Sequence, residues 1–200
     1  MKTEHYNLNG SQISIPIPEN YKDCMTLIKS DRFRLSGRIE PSFRIVLNQF
    51  SPSNSSILFW FRLCQHKGWL YPLCRLMYHI VCRNAQVQIP SSTRVGYGLY
   101  LGHSICMVVN GDTIIGNNVN LSQFLNIGTN HETPAIIGDN VYIGPHVCIV
   151  EDVTVGNNST IGAGAVITRD VPENATVAGV PAKVLNYANP GRYIKCKYQP

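Results

Sequence analysis

Charge is scarce in this 200-residue chain: charged residues make up only 14%, against about 25% in typical soluble domains. None of the seven cysteines, at positions 24, 64, 74, 82, 106, 148 and 196, forms a CxxC pair. That excludes a zinc ribbon and a thioredoxin-type centre and points to reduced thiols. The first twelve residues, MKTEHYNLNGSQ, lack the apolar stretch of a secretory signal. Nor does any run reach the ~18 apolar residues of a membrane span. The most apolar stretch, Ile57 to Val81, is broken by Arg62, Lys67, Gly68, Pro72 and Arg75. Together these absences predict a cytoplasmic location. Between Arg94 and Arg169 there is no Lys or Arg at all. A nucleic-acid surface needs a basic stripe on its working face, so nucleic acid is not an expected partner.

What the chain has in quantity is aliphatic residues and 16 glycines. Over residues 89–172 they keep a six-residue beat. Ile89, Val95, Leu101 and Met107 are six apart; after a two-residue slip come Ile115, Leu121 and Ile127. After a four-residue slip come Ile137, Ile143, Ile149, Val155, Ile161 and Ile167. The next residue is often glycine, as at 96, 102, 116, 128, 138, 144, 156 and 162. A period of six is neither the 3.6 of a helix nor the 2 of a strand. It fits a short strand, a tight turn in which glycine eases the backbone, and another short strand. Three units close one triangular coil, and stacked coils bury a continuous apolar column. The thirteen beats amount to about four coils, enough for the several repeats stability requires.

The run IGDNVYIGPHVCIVEDVTVGNNSTIGAGAVITRDVPENATVAGVPAKVL, ending in AGVPAKVL, resembles the hexapeptide-repeat acyltransferases. The resemblance covers about residues 85–188. It implies a mainly β fold, a left-handed parallel β-helix, with acetyl-CoA as co-substrate, no metal, and a homotrimer whose sites lie between neighbours. The expected organisation is an N-terminal helical segment (1–86), the β-helix acyltransferase domain (87–186) and a basic, loose tail (187–200).

Within 21–86, helices are predicted with Pro41 at the first position of one running to Gln49. A second, capped by Asn54-Ser55-Ser56, carries Ile57, Trp60, Phe61 and Cys64 on one face. A third, from Leu70 to Arg83, carries Leu73, Leu76, Met77 and Ile80. These stripes are expected to pack against each other and the first coil. The other reading is a basic amphipathic surface, with Arg34, Arg38, Arg44, Arg62, Lys67 and Arg75, resting peripherally on anionic lipid.

Slips in the beat mark loops, and loops on rigid scaffolds carry sites. The larger slip extrudes Thr129-Asn130-His131-Glu132-Thr133-Pro134-Ala135; the smaller gives Val109-Asn110-Gly111-Asp112, with His103 just before it. Imidazole, with an unperturbed pKa of ~6.5, suits proton abstraction from a hydroxyl attacking a thioester. His103, His131 and His146 are the candidates in the central half, and His146 reads as a polar surface residue. The segment GLYLGHSICMVVN is similar to the serine acetyltransferase stretch of LDHATG type that carries the catalytic His. The lead-in IKSDRFR and FWFRLC also resembles relatives from surface-polysaccharide gene sets. The resemblance makes His103 the base.

Two of that family's acids are replaced. The orienting Asp fifteen residues before the His is Gln88, and the Asp next to it is Gly102. The substrate loop is NHETP and carries no Arg. Gln88 can orient an imidazole but cannot stabilise an imidazolium as a carboxylate does. Acceptor binding falls to Asn130, His131 and Glu132. In the galactoside and maltose acetyltransferases the base comes from the loop that here holds His131, which is the competing assignment. The resemblance maps acetyl-CoA contacts to Ala163, Thr168 and Arg169. The cations for its phosphates lie only beyond the central coils, at Arg169, Lys183, Arg192, Lys195 and Lys197, and Gly128, Thr129 and Gly144 are further candidates for its binding. The implied activity is O-acetyl transfer to L-serine or to a sugar of a polysaccharide precursor. A non-catalytic trimeric scaffold and a zinc carbonic anhydrase of the same fold are the alternatives. The latter needs three histidines on zinc.

Overall fold

In the computed structural model, which describes residues 1–50, 54–130, 133–150 and 152–200, the six-residue beat folds as a parallel β-helix. An antiparallel hairpin, β1 (Lys2–Leu8) and β2 (Ser11–Ile17), comes first. Four helices follow: α1 (Tyr21–Ser36), α2 (Ser42–Leu47), α3 (Asn54–Cys64) and α4 (Tyr71–Ala85). The first coil holds β3 (Arg94–Val95), β4 (Tyr100–Gly102) and β5 (Val108–Val109). The second holds β6 (Ile114–Ile115), β7 (Asn120–Ser122) and β8 (Asn126–Ile127). The third holds β9 (Ile136–Ile137), β10 (Tyr142–Ile143) and β11 (Cys148–Ile149). The fourth holds β12 (Thr154–Val155), β13 (Thr160–Ile161) and β14 (Val166–Ile167). β15 (Thr176–Ala178) and an antiparallel β16 (Lys183–Asn186) close the top.

Each third strand stacks in register on the one below, giving three faces: β3-β6-β9-β12, β4-β7-β10-β13 and β5-β8-β11-β14. Ile115, Leu121, Ile137, Ile143, Val155 and Ile161 point inward and are buried. Coil on coil, they form one apolar column, and its burial drives the fold.

The register corrects the sequence reading at one place. Val109, not Met107, pairs with Ile127, and Leu101 pairs with Leu121. The two extra residues therefore lie in the His103–Cys106 turn, not after it. Val109-Asn110-Gly111-Asp112 instead closes as a tight turn, with the Asp112 N–H donating to Asn110 Oδ1 at 2.9 Å. The repeat glycines also work differently from the expectation. The left-handed corner residues are Asn118, Asn140 and Asn158 (φ 57, 58 and 56), two positions beyond Gly116, Gly138 and Gly156. Asparagine tolerates that conformation. Glycine is needed where coils meet: a Cβ on Gly116 would lie 2.5 Å from the Gly138 carbonyl.

The N-terminal 1–86 segment is not wholly helical. Asn9-Gly10 turns with both φ positive (31 and 106), and Leu8, Ile13 and Ile15 pack over Ile114 and Ile136. The hairpin thus covers the face built on β3. Pro41 caps α2 rather than starting it. Helix α3 buries Ile57, Phe61 and Cys64 as expected, but α4 buries Cys74, Tyr78 and Cys82 and leaves Leu73, Leu76 and Ile80 exposed.

Arg34 and Arg62, which the alternative sequence reading placed on a basic surface, are buried instead. Both satisfy backbone groups at the open edge of the first coil. Arg62 donates to both Asp31 carboxylate oxygens (2.8 and 3.0 Å) and to the carbonyls of Val95 and Gly96 (2.9 and 2.6 Å). Asp31 accepts the Leu99 N–H at 2.8 Å, and Ser30 Oγ accepts the Gly98 N–H at 3.0 Å. Burial pushes the Asp31 carboxyl up, against the pull of Arg62.

The tail is a strap. The Gly191 N–H donates to the Asn158 carbonyl (2.6 Å), Asn120 Nδ2 to the Tyr193 carbonyl (3.2 Å), and Asn118 exchanges two hydrogen bonds with Tyr198 (2.8 and 3.1 Å). It covers the face built on β4 and ends against α1, where Arg34 Nε donates to the Lys195 carbonyl at 2.9 Å.

Candidate active site

With one face under the hairpin and another under the tail, the face of β5, β8, β11 and β14 stays open. Its outward ladder is Gln88, Val108, Asn126, Cys148 and Val166. The exposed residues Ile105, Val108, Phe124 and Val150 give it an apolar character.

His103 stands exposed on the corner leading into this face, just after β4. Its φ is +52, a conformation uncommon for a side-chain-bearing residue and worth noting at a site. Up the same corner run Cys106, Phe124, His146 and Gly164, at φ 51, 59, 57 and 69. The corner opposite spends asparagine at this position; here Cys, Phe and His occupy it. Phe124 and His146 stack with ring centroids 4.5 Å apart. Sequence reading missed Phe124 because backbone φ is not written in composition.

Gln88 begins the ladder one coil below. Its backbone N–H donates to the Met107 carbonyl at 2.7 Å. It lines a groove of ≈ 230 Å³ with Arg75, Tyr78, His79 and Pro90. It makes no hydrogen bond to His103, so the orienting contact expected from sequence is not formed in the single chain. His131 and Glu132 lie outside the described residues.

The expected acetyl-CoA residues fall on the two edges of the open face. Gly144 and Ala163 sit on the His103 corner, on successive coils; a Cβ on Gly144 would lie 2.8 Å from the Ala163 N. Gly128 and Thr168 sit on the far corner, two coils apart, where Gly128 opens the extruded loop carrying Thr129 and the exposed Asn130. Among the described residues, a Cβ would meet nothing within 4 Å at Gly164 and only Asn126 Oδ1, at 3.6 Å, at Gly128. Both edges of the strip are therefore open to a ligand. Exposed Arg169 follows Thr168, and exposed Lys183 opens β16 beside the top of β14, where the Ala182 N–H donates to the Val166 carbonyl at 2.9 Å. Neither cation forms an ion pair among the described residues. Among those residues no cluster of His, Cys, Asp and Glu could hold a metal.

Residues 134–169 match the family described as bacterial transferase hexapeptide (six repeats). A galactoside O-acetyltransferase of Escherichia coli is 33% identical over 58% of this chain and 68% of its own length. A serine acetyltransferase of Synechococcus elongatus is 30% identical over 58% of this chain, which spans about half (52%) of that relative. A solved serine acetyltransferase of Neisseria gonorrhoeae in complex with serine has TM-score 0.64 and 26% identity, covering 82% of this chain and 70% of that one. One of Brucella abortus in complex with coenzyme A shares the fold, with TM-score 0.66 and 24% identity over 82% of this chain and 68% of that one. A β-helix of six-residue coils, the matched repeat and these relatives agree: the chain belongs to the hexapeptide-repeat transferases, among their acetyltransferases.

Proposed function

We propose that this protein is an acetyl-CoA-dependent O-acetyltransferase that works on its open face as a homotrimer, with His103 as general base. The observation that carries the reading is His103 itself, exposed in a left-handed turn made by the two-residue insertion, at the edge of the one face that neither hairpin nor tail covers. The apolar open face fits burial against neighbouring subunits. Pantetheine, which is uncharged, would lie along the strip bounded by Gly144, Ala163 and Gly164 on one side and Gly128, Thr129 and Thr168 on the other. Arg169 and Lys183 would meet the phosphates at its upper end.

The acceptor hydroxyl gives its proton to His103 as its oxygen attacks the thioester carbonyl. The carbon–sulfur bond then breaks, and the departing sulfur takes the proton back as a thiol. No enzyme nucleophile is required. Backbone N–H groups near the corner would stabilise the oxyanion. A base from the extruded loop, His131, is the competing assignment that the galactoside O-acetyltransferase relative supports.

The acceptor follows from what the site lacks. L-serine brings a carboxylate and an ammonium, and each costs several kcal/mol to bury without a partner. Gln88 and Gly102 stand where the serine acetyltransferase pattern has carboxylates, and the NHETP loop offers no Arg. A neutral hydroxyl, as on a sugar, suits the site better. A thiol-release assay with acetyl-CoA is expected to show weak saturation by L-serine and effective competition by neutral sugar acceptors. Gly102→Asp should improve serine use selectively. The position accepts a side chain, since a Cβ there would meet Tyr100 at 3.4 Å and the Leu121 carbonyl at 3.8 Å. Saturation by micromolar L-serine with no use of sugars would overturn this acceptor assignment.

A further inference from the structure

Helix α4 turns its buried side, Cys74, Tyr78 and Cys82, toward the core and leaves a stripe of large apolar side chains in solvent. Leu73, Leu76 and Ile80 are 51%, 57% and 42% exposed, and Trp69, in the turn before the helix, is 83% exposed. Leu73, Leu76 and Ile80 are three and four residues apart, so they lie along one side of the helix, and Trp69 stands in the turn that precedes it. A solvent-exposed apolar strip of this kind marks an interaction surface.

The charges around it have one sign. Between Glu40 and Asp112 the sequence contains no Asp or Glu, while it contains six Lys or Arg. Two of the six are neutralised, Arg62 by Asp31 and Arg94 by Glu4. Lys67, Arg75 and Arg83, on or just before α4, are exposed and form no ion pair among the described residues. The short α2 repeats the composition, with Phe43, Val46 and Leu47 exposed around Arg44.

A second copy of this chain would cover the apolar strip, but a two-fold contact would set unneutralised cations against cations. An anionic bilayer satisfies both features. Its headgroups take the Lys and Arg side chains, its interfacial layer takes an indole, and its acyl boundary takes leucine and isoleucine. We propose that the α4 face docks this protein on an anionic lipid surface. Among the described residues no helix is long and apolar enough to cross a membrane, so the attachment is peripheral and salt-sensitive. It does not depend on the acetyl-transfer reading, because it is read by binding alone.

The test is co-sedimentation of the full chain with vesicles of phosphatidylcholine containing phosphatidylglycerol, and with phosphatidylcholine alone. Binding is expected only to the anionic vesicles. Lys67→Ala with Arg83→Ala should weaken it about 30-fold, from roughly 1 kcal/mol per cation near the surface. Leu76→Glu with Ile80→Glu should abolish it while light scattering shows an unchanged particle mass. No binding to the anionic vesicles, or equal binding to both kinds, would overturn the proposal. So would a halved particle mass for the Leu76→Glu, Ile80→Glu variant, which would make the strip a contact between copies.

Discussion

Replacing His103 with Ala is expected to lower acetyl transfer by about 10²–10⁴-fold, the usual worth of general-base catalysis, with little change in acetyl-CoA affinity. In the proposed mechanism the imidazole takes the acceptor's proton, whereas the donor would be held by backbone and by cations along the strip. A steady-state thiol-release assay gives the first quantity and a calorimetric titration of the donor gives the second. His131→Ala should act chiefly on the acceptor's KM. If the two effects are exchanged, with His131→Ala removing turnover and His103→Ala only weakening the acceptor, the base belongs to the extruded loop. The open-face corner would then be a binding wall.

The second large effect is on stability. Asp31 and Arg62 are both buried, and together they terminate the first coil. Asp31→Ala leaves the guanidinium buried without its counter-charge and frees the Leu99 N–H. The expected cost is about 3–5 kcal/mol, a fall in melting temperature of about 6–20 °C for a chain of this size. Asp31→Leu combined with Arg62→Met should be less damaging than either single change, because replacing a buried pair by apolar groups removes two desolvation costs at once. That compensation would be incomplete, since the Val95 and Gly96 carbonyls lose their donor. A thermal melt of Asp31→Ala that matched the wild type would show that the helical segment does not brace the coil edge.

The coils were legible in sequence because Ile137, Ile143, Ile149, Val155, Ile161 and Ile167 each need the same inward position. A six-residue period has few ways to satisfy them. The first slip was harder to place. Met107, just before β5, and Val109, within it, are both buried, so the aliphatic pattern fits either register; only strand pairing shows that His103 occupies the insertion. The hairpin left a signal that went unused, Asn9-Gly10 between alternating apolar residues. Periodicity finds the apolar stripe of α4 but not the direction it faces. Cys74, Tyr78 and Cys82 won the core side because α3 and the first coil meet there. The tail's basic composition suggested solvent, yet its backbone bonds the side chains of Asn118 and Asn120 and the Asn158 carbonyl. Gln88 and Gly102 were readable as departures from a pattern. What replaces the missing acids was not, because in the proposed trimer the groups facing an acceptor across an interface are not laid out along one chain.

Whether the open face is an acetyl-CoA site is the claim on which the rest turns, and a calorimetric titration of acetyl-CoA into the wild-type protein tests it most directly. The account predicts saturable heat with one donor bound per chain, reduced by Arg169→Ala with Lys183→Ala through loss of the phosphate partners. A folded, correctly assembled protein that releases no heat with millimolar acetyl-CoA would contradict it and leave the β-helix as a scaffold.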